Sequence, residues 1–128
     1  MVSQKRTYHQ LHLAVPLVER QHRLIEELRL SAPRPVVGGA LALALGVSVR
    51  TVERDIARLR DAGVPITVRN GPGGGYGIDA RRELPPIALT PGESAALIAA
   101  LVAVGPYGSA TARSALDKLL AALTPERR

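Results

Sequence analysis

Leu-Gly-Val-Ser-Val-Arg-Thr-Val-Glu-Arg-Asp-Ile-Ala-Arg-Leu-Arg-Asp, residues 45–61, decides how the whole chain reads. Gly46 is a helix stop, because a glycine just past the last helical residue adopts the left-handed cap without steric cost. Ser48 is a good N-cap for the next helix, since its hydroxyl accepts from an orphan N–H of the first turn. The spacing predicts a helix over 49–62. At about 100° per residue, Val49, Val52, Ile56 and Leu59 fall on one arc, and Arg50, Thr51, Arg54 and Arg58 on the opposite one. One face packs; the other is a basic ridge. A solvated helix face normally mixes signs, with Glu-to-Lys pairs four apart. Here one sign dominates, although Asp61 sits near the far end. Glu53 and Asp55 lie at the flanks, where they brace arginines or narrow what the helix accepts.

Upstream, Gly38–Leu45 reads as a short helix with Leu41, Ala42 and Leu45 as its buried face. Two helices separated by a turn of about three residues containing glycine have the spacing of a helix-turn-helix. Before them, Leu17, Val18, Leu24, Ile25 and Leu28 recur at helical spacing and predict a first helix over about 16–30. Ser31-Ala-Pro-Arg-Pro35 ends it, because proline cannot continue the hydrogen-bond ladder and pushes its predecessor towards extended geometry. Residues 1–15 read as a mobile basic tail, in which Lys5 and Arg6 are available for phosphate contacts, as basic arms are.

Downstream, Val64-Pro-Ile-Thr-Val-Arg69 alternates Ile66 and Val68 against Thr67 and Arg69, the pattern of a half-buried strand. Tyr76 and Ile78 repeat the alternation after the run Asn70-Gly-Pro-Gly-Gly-Gly-Tyr-Gly-Ile78. A phosphate-binding loop would need Lys-Ser/Thr after its glycines and a helix opening there. Neither is present. Gly75-Tyr-Gly77-Ile-Asp-Ala80 has a loose dinucleotide-type spacing, but Arg81-Arg-Glu-Leu-Pro-Pro86 cannot start the required helix. The glycines therefore read as the tip of a β-hairpin. After a linker over 80–89, Thr90-Pro-Gly-Glu93 is a capping box with proline at the first helical position. It opens a helix over 91–104, with Leu97, Ile98, Leu101 and Val102 on one side. Gly105-Pro-Tyr-Gly108 reads as a turn. Ser109 caps a last helix with an apolar stripe of Leu116, Leu119, Leu120 and Leu123. Two such helices rarely satisfy each other alone, so they pack on the first domain or on a second copy.

The expected fold is mainly α: a winged helix-turn-helix over 16–79, with three helices and a two-stranded wing, joined to a helical hairpin over 90–128. The hairpin is the expected dimerisation element, through Leu97, Leu101, Leu116, Leu119, Leu120 and Leu123.

Composition narrows the function classes. The 128 residues carry a formal charge of +6, contain no Cys, Phe or Trp, and have only three Tyr. The core must therefore be built from Leu, Ile, Val and Ala. Without Cys there are no disulfides, no thiolate catalysis and no Cys-type zinc site. The charge is uneven: residues 1–69 hold eleven Lys/Arg against six Asp/Glu, and residues 70–128 hold six against five. Most cations of the first half are Arg, whose planar fork suits phosphate and guanine edges. No long apolar run comes after the N-terminal charges as in a secretory signal, and none reaches a membrane span. His9-x-x-His12 is a poor metal seed without Cys and outside the expected helices. His22 is the third histidine. Asp55 reads as a structural partner of a nearby Arg, and Tyr76 as packing for the wing. No Ser/His/Asp arrangement has support. No enzyme activity, cofactor, metal or small-molecule pocket is expected.

Residues 45–66, then Gly-Pro-Gly-Gly-Gly-Tyr at 71–76 and Leu-Pro-Pro-Ile-Ala-Leu-Thr at 84–90, closely resemble the N-terminal part of bacterial WYL-domain transcriptional regulators, also described as DeoR-like winged-helix regulators. The resemblance covers about 16–124. The Ser-x-Arg-Thr-Val-x-Arg-Asp-Ile core with the wing motif makes it specific. It implies that helix 49–62 enters the major groove of double-stranded DNA. Ser48, Arg50 and Thr51 would stand at its N-terminal end near backbone and bases, and Arg54 would read a base. Arg58, Arg69 and Asn70 would touch phosphate or an adjacent minor groove. The implied protein is a cytoplasmic, nucleoid-associated regulator, a homodimer on an inverted repeat. The alternatives are a protein-interaction winged helix and a non-specific architectural DNA binder.

Two features depart from the family. Its members usually continue into a C-terminal ligand-sensing WYL domain, which these residues lack. Its second helix usually carries Glu or Arg on its outer face, where this chain has Ala40, Leu43 and Ala44. Leu43 should face outward. Single exposed leucines are common; the sharper reading is a protein contact, which fails if Leu43→Glu changes neither oligomeric state nor partner binding.

Overall fold

The computed structural model describes residues 4–79, 83–105 and 109–124, with side chains from residue 16 onward except that of Val104. The elements run α1 (Gln4–Ser31), α2 (Gly38–Leu45), α3 (Val49–Asp61), β1 (Ile66–Arg69), β2 (Gly75–Ile78), α4 (Pro91–Val104) and α5 (Ala110–Leu123). This is the mainly helical winged helix-turn-helix with a C-terminal helical hairpin. The chain divides into two units, 23–84 on one side and 1–22 with 85–128 on the other.

α1 begins at Gln4, so the backbone of residues 4–15 is helix and not the expected tail. Pro16 lies inside the helix rather than at its start. A proline forfeits one backbone bond and bends a helix without necessarily ending it, and nothing local separates that use from the first-turn use. The side chains of Lys5, Arg6, His9 and His12 lie outside the described residues.

The core of the 23–84 unit is aliphatic. Leu24, Leu28, Leu41 and Val52 are fully buried, and Ala42, Leu45, Ile56 and Ile66 complete the cluster. Helical spacing brings Leu24 and Leu28 of α1 onto one face and Leu41, Ala42 and Leu45 of α2 onto another. α2 closes as the glycine predicts. Gly46 sits at φ 67°, its N–H donates to Leu43 O, and the N–H of Val47 donates to Ala42 O at 3.0 Å, a Schellman motif. Arg23 adds a bond from its guanidinium to Ala44 O at 3.1 Å, a cation placed at the negative end of α2.

The wing is a two-stranded antiparallel hairpin with Ile66 opposite Ile78 and Val68 opposite Tyr76. It is anchored by a third, single-residue pairing: Val36 and Tyr76 exchange both backbone bonds at 2.8 Å. The close approach demands glycine beside Tyr76. A Cβ on Gly75, whose φ is 150°, would stand 2.5 Å from Val36 O. The expected alternation along β1 holds only at its start. Ile66 is buried, whereas Val68 is 41 % exposed, because the hairpin has by then run past the core into solvent.

In the other unit, the capping box of α4 forms in full: Glu93 N–H donates to Thr90 Oγ1 at 3.1 Å, and Thr90 N–H donates to Glu93 Oε1 at 2.8 Å. Ser109 caps α5 by accepting from Ala112 N–H at 3.1 Å. Pro106–Gly108, within the expected turn, lies outside the described residues. Of the expected apolar stripes only Leu116 is buried; Ile98, Leu101 and Leu119 are half-buried, and Leu97, Leu120 and Leu123 are exposed.

Gly75→Ala should destabilise the chain by roughly 2 kcal/mol or more, read as a lower urea midpoint, since the new methyl must displace the Val36 backbone. At α4, the Thr90 backbone bond holds the Glu93 carboxyl below its ordinary range. A lowered folded-state pKa stabilises above the unfolded value and loses that stability as pH falls through the folded value. Amide protection at the start of α4 should therefore fall on acidification, and Glu93→Gln should remove most of that pH dependence.

Candidate nucleic-acid interface

α3 is positioned from both ends. Ser48 accepts from Thr51 N–H at 3.1 Å, and its hydroxyl lies 3.1 Å from Thr51 Oγ1. At the other end Arg58 and Arg60 occupy the last turn, where cations complement the helix dipole. The rotation of α3 about its axis differs from the sequence reading. Val49 is 44 % exposed, while Asp55 is fully buried. Replacing Val49 by Asp55 in the buried arc turns the outward face by a few tens of degrees. Its centre is now Arg50, Arg54, Ala57 and Asp61. Thr51 and Arg58 stand on one flank; Val49, Glu53 and Arg60 stand on the other. Burying a carboxylate is costly unless it is paired, and Asp55 does engage a partner. Pattern alone could not foresee this, because aspartate is a residue that a hydrophobic arc leaves out.

Arg50, Arg54, Arg58 and Arg60 are exposed on α3, and Arg69 and Asn70 are exposed at the end of β1. Among the described residues, none of these five arginine side chains has an ion-pair or hydrogen-bond partner. Unpaired guanidiniums leave their donors to an outside acceptor or to water. Ser48 and Thr51 differ: Ser48 is exposed, but its oxygen and the Thr51 N–H are spent on the cap. Arg50, Arg54 and Arg58, read from the sequence as one arc, are all exposed, and Glu53 keeps the flank that the sequence assigned it, whereas Arg60 and Ala57 were not singled out. Their signal was present in the same helical wheel, once its core arc was placed correctly.

Two concavities flank the wing. One, of about 540 Å³, lies between α3 and the hairpin and is lined by Glu53, Ala57, Arg60, Val68 and Tyr76 among others. The other, about 270 Å³, lies between the start of α2 and the wing tip, beside Arg69 and Asn70. Among the described residues there is no group of three or more His, Asp or Glu that could hold a metal ion, and no helix long and apolar enough to cross a membrane. Leu43 is 87 % exposed, facing outward as expected.

Residues 20–77 match the HTH domain family. They span α1 from residue 20 to the wing, the stretch whose geometry is that of a winged helix-turn-helix. The chain is 34 % identical over 98 residues to the Uncharacterized HTH-type transcriptional regulator YobV of Bacillus subtilis (strain 168). That match covers 77 % of this chain but 31 % of the relative. The chain thus spans less than a third of the length of that curated relative. No solved structure matches it.

Proposed function

We infer that the chain is a sequence-specific DNA-binding regulator of transcription in bacteria, working in the cytoplasm at the nucleoid. The observation that carries the reading is the unpaired arginine face of α3, the second helix of a helix-turn-helix. α3 lies in the major groove. Arg50 and Arg54 approach base edges, and Ser48 and Thr51 stand beside them at the helix start. Arg58, Arg69 and Asn70 take phosphate or the neighbouring minor groove. An arginine fork offers two donors to guanine O6 and N7, a pattern that no other base pair presents there. The relative named as an HTH-type transcriptional regulator supports the same reading. Membership among WYL-type, DeoR-like regulators belongs to the proposal too, resting on the motif over 45–66 and the wing.

The protein acts as a twofold dimer. Leu97, Leu120 and Leu123 are exposed, and Leu101, Leu116 and Leu119 share their helices, so α4 and α5 carry apolar surface that one chain leaves uncovered. A dimer presents two recognition helices about 34 Å apart along the duplex, and its site is then an inverted repeat. A second reading, a protein-interaction winged helix, is favoured only by exposed Leu43 beside Ala40 and Ala44. It has no need of the arginines.

Selection of bound duplexes from a random pool tests the proposal. An enriched inverted repeat supports it. An asymmetric half-site removes the twofold dimer, binding without enrichment leaves an architectural binder, and no binding at modest salt moves the reading to a protein partner. On the selected site, Arg54→Ala should cost about 1–3 kcal/mol and relax preference at particular base pairs. Arg69→Ala should weaken all sequences alike and lower the salt slope by about one. Equal losses on every sequence for both variants would remove Arg54 as a base reader.

A further inference from the structure

We propose that Glu53 is a second base reader of α3, taking a hydrogen bond from an exocyclic amino group, that of cytosine first. This rests on the reading of α3 as the helix that enters the major groove.

Glu53 is exposed in the second turn of α3, next to Arg54 and one turn beyond Arg50. Among the described residues it has no hydrogen-bond or ion-pair partner. Its neighbours one turn away are Val49, Arg50, Ile56 and Ala57, so Arg50 is the sole cation there, and it stands N-terminal to the carboxylate, the weaker order for a helix pair. Ala57, the neighbour four residues on, is a small exposed residue that keeps the helix surface low beside the carboxylate. A base edge can approach there without displacing a long side chain.

A surface carboxylate is usually no more than solvated. This one stands on the wing-side flank of α3, with Arg60 one further turn along, beyond Ala57, and at the edge of the face that the proposed function sets against a polyanion, where an unpaired negative charge opposes binding to every sequence. That cost yields selectivity only if the carboxylate finds a donor. In the major groove the donors are cytosine N4–H₂ and adenine N6–H₂. An acidic side chain suits cytosine, because adenine also presents N7, an acceptor that repels it. Guanine O6 and N7 are both acceptors, so Glu53 rejects the base that Arg50 or Arg54 selects. Adjacent residues of opposite charge thus read opposite partners, and the carboxylate adds a cytosine preference to the guanine preference of the arginines.

The test is duplex selection with the wild-type chain, Glu53→Ala, Glu53→Gln and Arg54→Ala in parallel. One cytosine position per half-site should be preferred about tenfold by the wild type. In Glu53→Ala that position should become nearly uniform while the others persist, and unselected duplexes should bind a few-fold more tightly. Glu53→Gln should move the preference towards adenine, whose N6 and N7 an amide can pair. Arg54→Ala should flatten a different position. An unchanged motif in Glu53→Ala, with the wild type still enriching its site, overturns the assignment of Glu53 alone. A wild-type chain that enriches nothing overturns the DNA-reading function and this inference with it.

Discussion

The packing of α3 against α1 and α2 governs the rest of the 23–84 unit. Leu24, Leu28, Leu41 and Val52 meet with no solvent between them, and Asp55 is buried alongside. A helix held by such a seam cannot rotate without opening cavities, and each buried leucine is worth a few kcal/mol of packing. The rotation of α3 is therefore fixed by residues that never reach its outer face. Which arginines point outward depends on which aliphatics point inward.

That dependence explains what could be read from the chain and what could not. The elements from α2 onward were legible because they carry local punctuation: Gly46, Ser48 and the Thr90–Glu93 box each satisfy a helix end by a bond that forms as the sequence implies. The glycine-rich wing was legible by exclusion, since no helix comes after it to make it a phosphate loop. The start of α1 was not, because Pro16 has the same identity within a helix as at its first turn. The fine rotation of α3 was not either. Val49 looks apolar and is exposed, Asp55 looks polar and is buried, and only the three-dimensional seam decides between them.

The surface chemistry divides in the same way. Arg50, Arg54 and Arg58 were visible as one sign on one arc. Glu53 was visible at its flank, while Ala57 and Arg60 became visible only after the arc was corrected, as did the groove they share with Tyr76. The uncovered leucines of α4 and α5 lay between these cases. Periodicity marked them as apolar, and only the fold shows Leu97, Leu120 and Leu123 exposed while Leu116 is buried.

The bridge between Val36 and Tyr76 has a mechanical consequence. Two backbone bonds tie the wing to the segment that leads into α2, and the lack of a side chain on Gly75 lets the strands close. The wing is thus no free-swinging arm. Its two strands are the outer rungs of a small three-rung ladder whose inner rung, at Val36, belongs to the segment between α1 and α2. The distance between Arg54 on the helix and Arg69 on the wing behaves as a ruler cut into the fold, set by the scaffold rather than by either side chain.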